Sequence, residues 1–251
     1  LPFMDFVYMN EVIGRSYYGQ QAVGSLSMQD SIMLHRYGNQ VQKERWLRPL
    51  VDGDIYPSVG LTEPEVAGSD PTLMRTTALL DGDEWVINGH KWFTSGANIA
   101  AFTTVFCETE PQQQKHGKFS SIIVPTDTPG YRIERVVPTM GSTLGGHCEV
   151  RLDNVRVPRE NLLGGRGQGF VIAQKRLGPG RIFHCMRWLG QAQRAFELMC
   201  EYAKVRYAHG SMLAEKGEIQ RYVAESAAEI QAARLMTLDA ARLMDAGDEA
   251  R

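Results

Sequence analysis

Apolar and polar residues recur with two different periods along this chain, and the period changes twice. Residues 1 to about 54 follow a helical spacing. One helix there carries its own start and stop signals. Asn39 caps it, Gln42 three residues on completes a capping box, and Gly53 follows its end. Pro49 falls in its last turns, where a missing N–H tightens or bends a helix. From Tyr56 to about Leu163, short runs separated by turn residues take over. Asp81-Gly82 separates Leu73–Leu80 from Glu84–Ile87, and Asn88-Gly89 separates that run from His90–Thr94, two consecutive hairpin signals. Phe102–Cys107, Phe119–Pro125, Tyr131–Val137 and Cys148–Leu152 are further predicted strands. Such spacing predicts an antiparallel sandwich or barrel of roughly 100 residues.

From Gly169 the helical period returns. Ile172 to Ala208 is one long amphipathic run, with Ile182, Met186, Leu189, Ala192, Phe196 and Met199 at helical spacing. Gly210 and Gly217 bracket a break, and Ile219 to Met244 is a second long helix. Two long helices on a short loop predict an antiparallel pair that needs further helices to bury both faces. The expected fold class is α+β and multi-domain. It has a partial helical domain over 1–56, an antiparallel β middle domain over 57–164, and the start of an up-down helical bundle over 165–251.

Composition narrows the function classes. A net charge of -2 gives no electrostatic reason to expect nucleic acid or an anionic membrane as partner. No apolar run approaches the length of a membrane-spanning helix. Cys107, Cys148, Cys185 and Cys200 form no C-x-x-C pair, so neither a zinc site nor a redox dithiol is expected. The start lacks an initiator Met and a signal-peptide pattern, and the end follows directly on a helical run. Both ends read as cuts in a longer protein.

Several attractive patterns fail. Gly164-Gly165-Arg166-Gly167-Gln168-Gly169 is glycine-rich but is not G-x-G-x-x-G after a strand of a βαβ unit. There is no Walker lysine, no G-x-S-x-G elbow and no H-E-x-x-H, and the six histidines are scattered. Two stretches hold more information. Gly60-Leu61-Thr62-Glu63-Pro64-Glu65-Val66-Ala67-Gly68-Ser69-Asp70 ends a strand and enters a loop of hydroxyls and backbone N–H groups, suited to a polar planar ring or a pyrophosphate. Alone, it is more simply a surface turn. Ile87-Asn88-Gly89-His90-Lys91-Trp92-Phe93-Thr94-Ser95-Gly96-Ala97 is a predicted hairpin whose alternation puts Trp92 and Thr94 on one face. An aromatic ring and a hydroxyl so placed suit an aromatic cofactor, or equally a core Trp beside a solvent-facing Thr.

Taken in order, these motifs resemble the acyl-CoA dehydrogenase family. Gly141…Gly146-His147-Cys148-Glu149-Val150, Val155-Arg156-Val157-Pro158-Arg159-Glu160-Asn161-Leu162-Leu163-Gly164 and Arg176-Leu177-Gly178-Pro179-Gly180-Arg181 follow at the family's spacing. The resemblance runs from about residue 35 to 210. Arg176 to Ile182, followed by His184-Cys185-Met186-Arg187, is similar to the branch that in some organisms is fused to a kinase-like domain.

The resemblance implies oxidation of an acyl-CoA thioester to the 2,3-enoyl-CoA. A carboxylate takes the α-proton, the β-hydrogen leaves as hydride to N5 of FAD, and an electron-transfer flavoprotein collects the electrons. By this resemblance Gly60, Leu61, Thr62, Gly68, Ser69, Trp92, Phe93, Thr94 and Arg206 belong to the FAD site. Leu61 (through its backbone) and Thr62 face the ring, Trp92 packs on it, and Thr94 bonds near N5. Arg206 reaches the FAD of a neighbouring subunit in a dimer or tetramer. Ser69, Gly178 and Arg181 belong to the substrate site. His209 stands where the family has an aromatic that packs on adenine, and Gly178 where some members have an Asp. The usual base lies beyond Arg251, and its alternative position is Gly180, so no catalytic base is expected in this chain. Family members occupy the bacterial cytoplasm, the mitochondrial matrix or the peroxisome. A flavin oxidase or monooxygenase on the same fold and a non-catalytic helical module are the alternatives. The retained flavin motifs argue against the second.

Overall fold

A computed structural model of the chain describes residues 2–23, 27–140 and 146–247; Gly141 of the third motif lies outside them. The helices are α1 (Phe3–Gly14), α2 (Gly19–Ala22), α3 (Met28–Tyr37), α4 (Gln40–Gln42) and α5 (Arg48–Asp52), then α6 (Gly169–Val205) and α7 (Gly217–Asp245). Between them run β1 (Pro57–Gly60), β2 (Thr77–Asp81), β3 (Glu84–Ser95), β4 (Phe102–Glu108), β5 (Phe119–Pro125), β6 (Tyr131–Val137), β7 (His147–Pro158) and β8 (Leu162–Leu163). A short hairpin, β9 (Tyr207–Ala208) with β10 (Ser211–Met212), joins the two long helices.

The chain divides into two compact units, residues 27–176 and residues 2–23 with 177–247. The expected first segment, 1–56, is therefore shared between them.

In the unit spanning 27–176, one sheet runs in the order β6-β7-β3-β2-β4-β5-β8, with β1 added against β4. Its pairings are antiparallel except that β1 lies parallel to β4 and β2 meets β4 in parallel at one position. Both faces of the sheet centre are covered. Val105, Cys107, Ile122 and Val124 pack with Trp85, Ile87, Val150 and Leu152. Phe102 and Ile123 pack instead with Met33, Leu34, Trp46 and Leu50 of the preceding helices and Ile172 of α6. This two-sided burial explains why β4 and β5 read as unbroken apolar and hydroxyl runs rather than alternating ones. The hydroxyl of Thr103 finds the Tyr131 hydroxyl at 2.8 Å.

The expected cap is present. Asn39 Oδ1 accepts from the Gln42 N–H and the Gln42 side chain accepts from the Asn39 N–H. Gly53 closes α5 with a φ of 85°. Pro49 has no N–H for the carbonyl four residues back, and Lys43–Leu47, just before it, is π-helical.

The second predicted hairpin is not there. β3 runs unbroken through Asn88-Gly89, and only Asp81-Gly82 turns the chain. Asn88 instead bridges to β7, accepting from the Asn154 N–H at 2.8 Å beside an irregularity in the β3–β7 register. Gly89 is needed for space, because a Cβ there would lie 2.2 Å from the Thr76 hydroxyl oxygen. The strand preceding the true turn is also shorter than expected. It begins at Thr77, because Pro71–Leu73 forms a 3-10 turn capped by Asp70.

In the helical unit, α1, α6 and α7 share a core of Val7, Ile182, Met186, Leu189 and Ala241. Thus α1 supplies one of the further helices that the long pair needs. Two glycines permit the close approach of α1 and α6. A Cβ at Gly14 would meet the Arg187 carbonyl oxygen at 1.9 Å, and one at Gly190 the Glu11 carbonyl oxygen at 1.9 Å. Arg234 grips Glu11 at 2.7 Å and Arg15 grips Glu197 at 2.5 Å. The β9–β10 turn is made by His209 and Gly210, both with positive φ, the geometry that short hairpin turns favour. In sequence, Gly210 and Gly217 mark only a break between helices.

Candidate cofactor face of the β domain

The first glycine-containing motif and the Trp-bearing strand are about thirty residues apart, yet they are bonded to each other twice. The Trp92 N–H donates to the Thr62 carbonyl at 3.0 Å. The Lys91 ammonium donates to the Leu61 carbonyl at 3.0 Å. Two consecutive residues of β3 thereby hold two consecutive carbonyls of the loop. Gly60 keeps the entry to that loop narrow, since a Cβ there would sit 3.3 Å from Lys91 Cγ. Gly68 brings the far end of the loop back, its missing Cβ lying 2.9 Å from Thr62 Cγ2. Leu61 and Thr62 are half-buried; Gly68 and Ser69 are exposed. Asp70 fixes the loop exit by accepting from the Thr72 N–H at 3.0 Å, and the Thr72 hydroxyl holds its carboxyl below the ordinary value.

Lys91 and Glu63 form an ion pair at 2.8 Å in which both side chains are only 1% exposed. Glu63 also accepts from the Arg75 N–H at 2.6 Å, the Thr76 N–H at 3.0 Å and the Thr76 hydroxyl at 2.7 Å. Burial alone would raise its carboxyl. The Lys91 ammonium and these hydrogen bonds outweigh burial and hold it below the ordinary value. Burial pushes the Lys91 ammonium down, and Glu63 opposes that. Nothing adjacent in sequence marks Lys91, but it falls in step with the inward-facing Trp85 and Ile87 of β3, and a lysine on a buried face needs a carboxylate partner.

Past Lys91 the simple alternation fails. Lys91 pairs with Val150 and Thr94 with Cys148, so three steps on β3 face two on β7. The extra residue is a bulge, and Phe93 takes a φ of 49° there. The period-two argument that placed Trp92 and Thr94 on one face therefore does not apply across these residues. What the bulge leaves is chemically specific. The indole Nε1 of Trp92 and the hydroxyl of Thr94 are both buried with no hydrogen-bonding partner. Phe93 between them is 44% exposed, with its ring 4.7 Å from that of Trp92. Ser95 Oγ lies 2.7 Å from His147 Nδ1, and the His147 ring meets Phe93 edge-on. A buried donor and a buried hydroxyl without partners, each costing about 1–3 kcal/mol if left so, fit the edge of a polar ring.

Gly178, Arg181 and Arg206 belong to the helical unit. Gly178 and Arg181 lie inside α6, which continues through Pro179. A Cβ at Gly178 would have nothing within 4 Å, and the side chains of Arg181 and Arg206 are exposed.

A separate polar cleft of about 490 Å³ is lined by Glu65, Arg75, His90, Arg132, Arg151 and Asp153 among others, and neither Trp92 nor Thr94 lines it. His90 bridges two carboxylates there, Glu65 at 2.5 Å and Glu149 at 2.8 Å. Arg135 also bonds Glu149 and, with His90, holds its carboxyl below the ordinary value. No group of three or more potential metal ligands occurs among the described residues. No helix among them is long and apolar enough to cross a membrane.

Residues 58–155 match the family model for the acyl-CoA dehydrogenase middle domain, and residues 167–251 that for the acyl-CoA dehydrogenase C-terminal domain. The probable acyl-CoA dehydrogenase FadE2 of Mycobacterium tuberculosis is 48% identical over 85% of this chain and 53% of its own length. The chain thus spans about half the length of that relative. Butyryl-CoA dehydrogenase from Megasphaera elsdenii superposes with a TM-score of 0.88 at 29% identity, over 98% of this chain and 64% of its own. A glutaryl-CoA dehydrogenase from Mycobacterium smegmatis, solved in complex with FADH2, gives a TM-score of 0.79 at 30% identity over 88% and 55% of the two chains. The order of helices, β domain and helices, the stitched loop-and-strand motif and these likenesses agree: the chain belongs to the acyl-CoA dehydrogenase family.

Proposed function

We propose that this chain carries the FAD-facing part of an enzyme that oxidises an acyl-CoA to its 2,3-enoyl-CoA. The observation that carries the reading is the pair of buried, unpartnered groups at the β3 bulge, Trp92 Nε1 and Thr94 Oγ1. FAD, when bound, supplies the acceptor for the substrate's β-hydride. The chain's own residues bind and orient. Leu61 and Thr62 present a fixed loop edge, Trp92 packs beside the ring, and Thr94 offers a hydroxyl at its edge. Gly60, Gly68 and Phe93 complete this face. Ser69 lies at the loop end where pyrophosphate and thioester groups would pass. Gly178 and Arg181 serve the CoA portion, and Arg206 serves the FAD of a neighbouring subunit in a dimer or tetramer. Electrons pass onward to an electron-transfer flavoprotein.

The α-proton is removed by a carboxylate outside this chain. The carboxylates on the β domain near this face are already engaged. Glu63 accepts from Lys91, Arg75 and Thr76, and Glu149 from His90 and Arg135. A general base needs a free lone pair within reach of the proton it takes.

The test uses the full-length protein. It should purify with a flavin absorption band that bleaches anaerobically on adding an acyl-CoA. Thr94→Val and Trp92→Phe should each weaken FAD retention and slow bleaching. Wild-type protein that takes up no flavin would end this reading.

A further inference from the structure

The flavin-facing loop and the flavin-facing strand are joined by one backbone hydrogen bond and by a single side chain. Lys91 has three N–H donors. They meet the Leu61 carbonyl at 3.0 Å, Glu63 Oε1 at 2.8 Å and the Met74 sulfur at 3.8 Å. Its neighbour's backbone N–H takes the next carbonyl along, that of Thr62. Glu63 is itself fixed by the Arg75 and Thr76 amides, so the ammonium joins an anchored carboxylate to the Leu61 carbonyl two residues earlier in the same loop.

Stability does not account for such an arrangement. Replacing a buried ion pair by uncharged groups of similar volume is often neutral or stabilising. A strand interior at this position could be filled by methionine. What methionine cannot do is orient the Leu61 peptide.

We propose that Lys91 is the positioning residue of the cofactor face: it sets the angle of the Leu61–Thr62 peptides against Trp92 and Thr94, and through them the environment of the bound flavin. The proposal rests on the flavin reading above. It adds that the family's two sequence motifs act as one device, joined through a residue that touches neither cofactor nor substrate.

The experiment compares Glu63→Gln with the double variant Lys91→Met/Glu63→Gln in the full-length flavoprotein. Glu63→Gln leaves Lys91 on the Leu61 carbonyl. Its melting temperature should fall, because Lys91 loses its buried counter-charge, but its flavin band and FAD affinity should depart less from wild type than those of the double variant. The double variant leaves no unpaired charge and should fold. Its FAD affinity should nevertheless drop ~10-fold or more, the scale of one lost hydrogen bond from a charged donor. The flavin band should shift, and kcat should fall more than KM rises. Identical flavin spectra and affinities in the two variants would overturn the proposal, as would a double variant that fails to fold, since either would make Lys91 a structural residue only. Wild-type protein without flavin, read before any variant is made, would remove the underlying function instead.

Discussion

The two units differ in how deeply they bury charge. Both carry exposed ion pairs, but the unit spanning 27–176 also takes some inside. Lys91 and Glu63 are almost wholly buried, and Arg176 meets Asp30 at 2.9 Å with the carboxylate 3% exposed. In the helical unit the described pairs are half-buried, as Arg234 with Glu11, or exposed, as Arg221 with Glu225 and Arg15 with Glu197. Its long helices also leave apolar groups uncovered. Leu198, Tyr202, Val205, Leu235 and Met236 are all more than half exposed. Surface ion pairs contribute little and buried ones a great deal once broken. The β unit thus places part of its specificity in a few buried charges, of a kind the helical unit does not show among its described residues.

The largest expected effect lies in the β unit. Lys91→Met alone leaves Glu63 buried without its cation, and should destabilise by about 3–5 kcal/mol. Adding Glu63→Gln should restore most of that. Chemical denaturation of the two single variants and the double, read as a coupling cycle, checks it. Additive losses would show that the two residues do not act as a pair.

Next come the close approaches, one in each unit. Gly190→Ala gains helix propensity of about 1 kcal/mol. It also drives a methyl to 1.9 Å from a backbone carbonyl that cannot rotate away. The clash should win, for a net loss of about 1–3 kcal/mol. Gly89→Ala meets the Thr76 side chain at 2.2 Å. Thr76 is tied to Glu63, so that loss should be relieved only in part by adding Thr76→Ser, which keeps the hydroxyl and removes the crowding methyl. Thermal melts of the four proteins distinguish rigid backbone from adjustable side chain.

These glycines also mark what was legible in the sequence. The alternating strands, the Asn39 cap and the long helices followed from local patterns, because each is decided within a few residues. Asn88-Gly89 misled because the same dipeptide that makes a hairpin also suits a bulge contact, and only the partners Thr76 and Asn154 decide between them. The Trp92–Thr94 alternation failed for a similar reason. A bulge is set by the register with β7, which no local pattern reports. Lys91 was overlooked because its carboxylate lies about thirty residues away, joined to it only by the fold.

A smaller effect separates ligand-directed polar groups from structural ones. Thr94→Val removes a buried hydroxyl that has no partner. In the flavin-free protein it should be neutral or stabilising by up to ~1 kcal/mol. With FAD present the sign should reverse, because the variant loses a contact that the wild type gains. By contrast Thr103→Val, whose hydroxyl bonds Tyr131, should destabilise in both states. Melting temperatures measured with and without FAD give the comparison. Equal shifts for both variants in both states would remove the distinction.

The smallest effect is electrostatic and belongs to the helical unit. The hydrogen bond from Arg15 holds the Glu197 carboxyl at about 2, well below its ordinary value of 4.5. A carboxyl depressed in the folded state binds its proton less readily than the unfolded chain does. Its stabilising contribution is therefore complete above pH 4.5 and lost as the pH falls toward 2. The pair is exposed, with side chains 41% and 45% accessible, so solvent and salt screen it. Glu197→Gln should lower stability slightly near neutrality and flatten the helical unit's loss of stability between pH 4.5 and 2, so that variant and wild type converge at the acid end. The difference between variant and wild type should shrink in high salt. Helical dichroism followed through an acid titration at low and high ionic strength tests this, and a difference that persists unchanged in salt would place the contribution in packing between α1 and α6 rather than in charge.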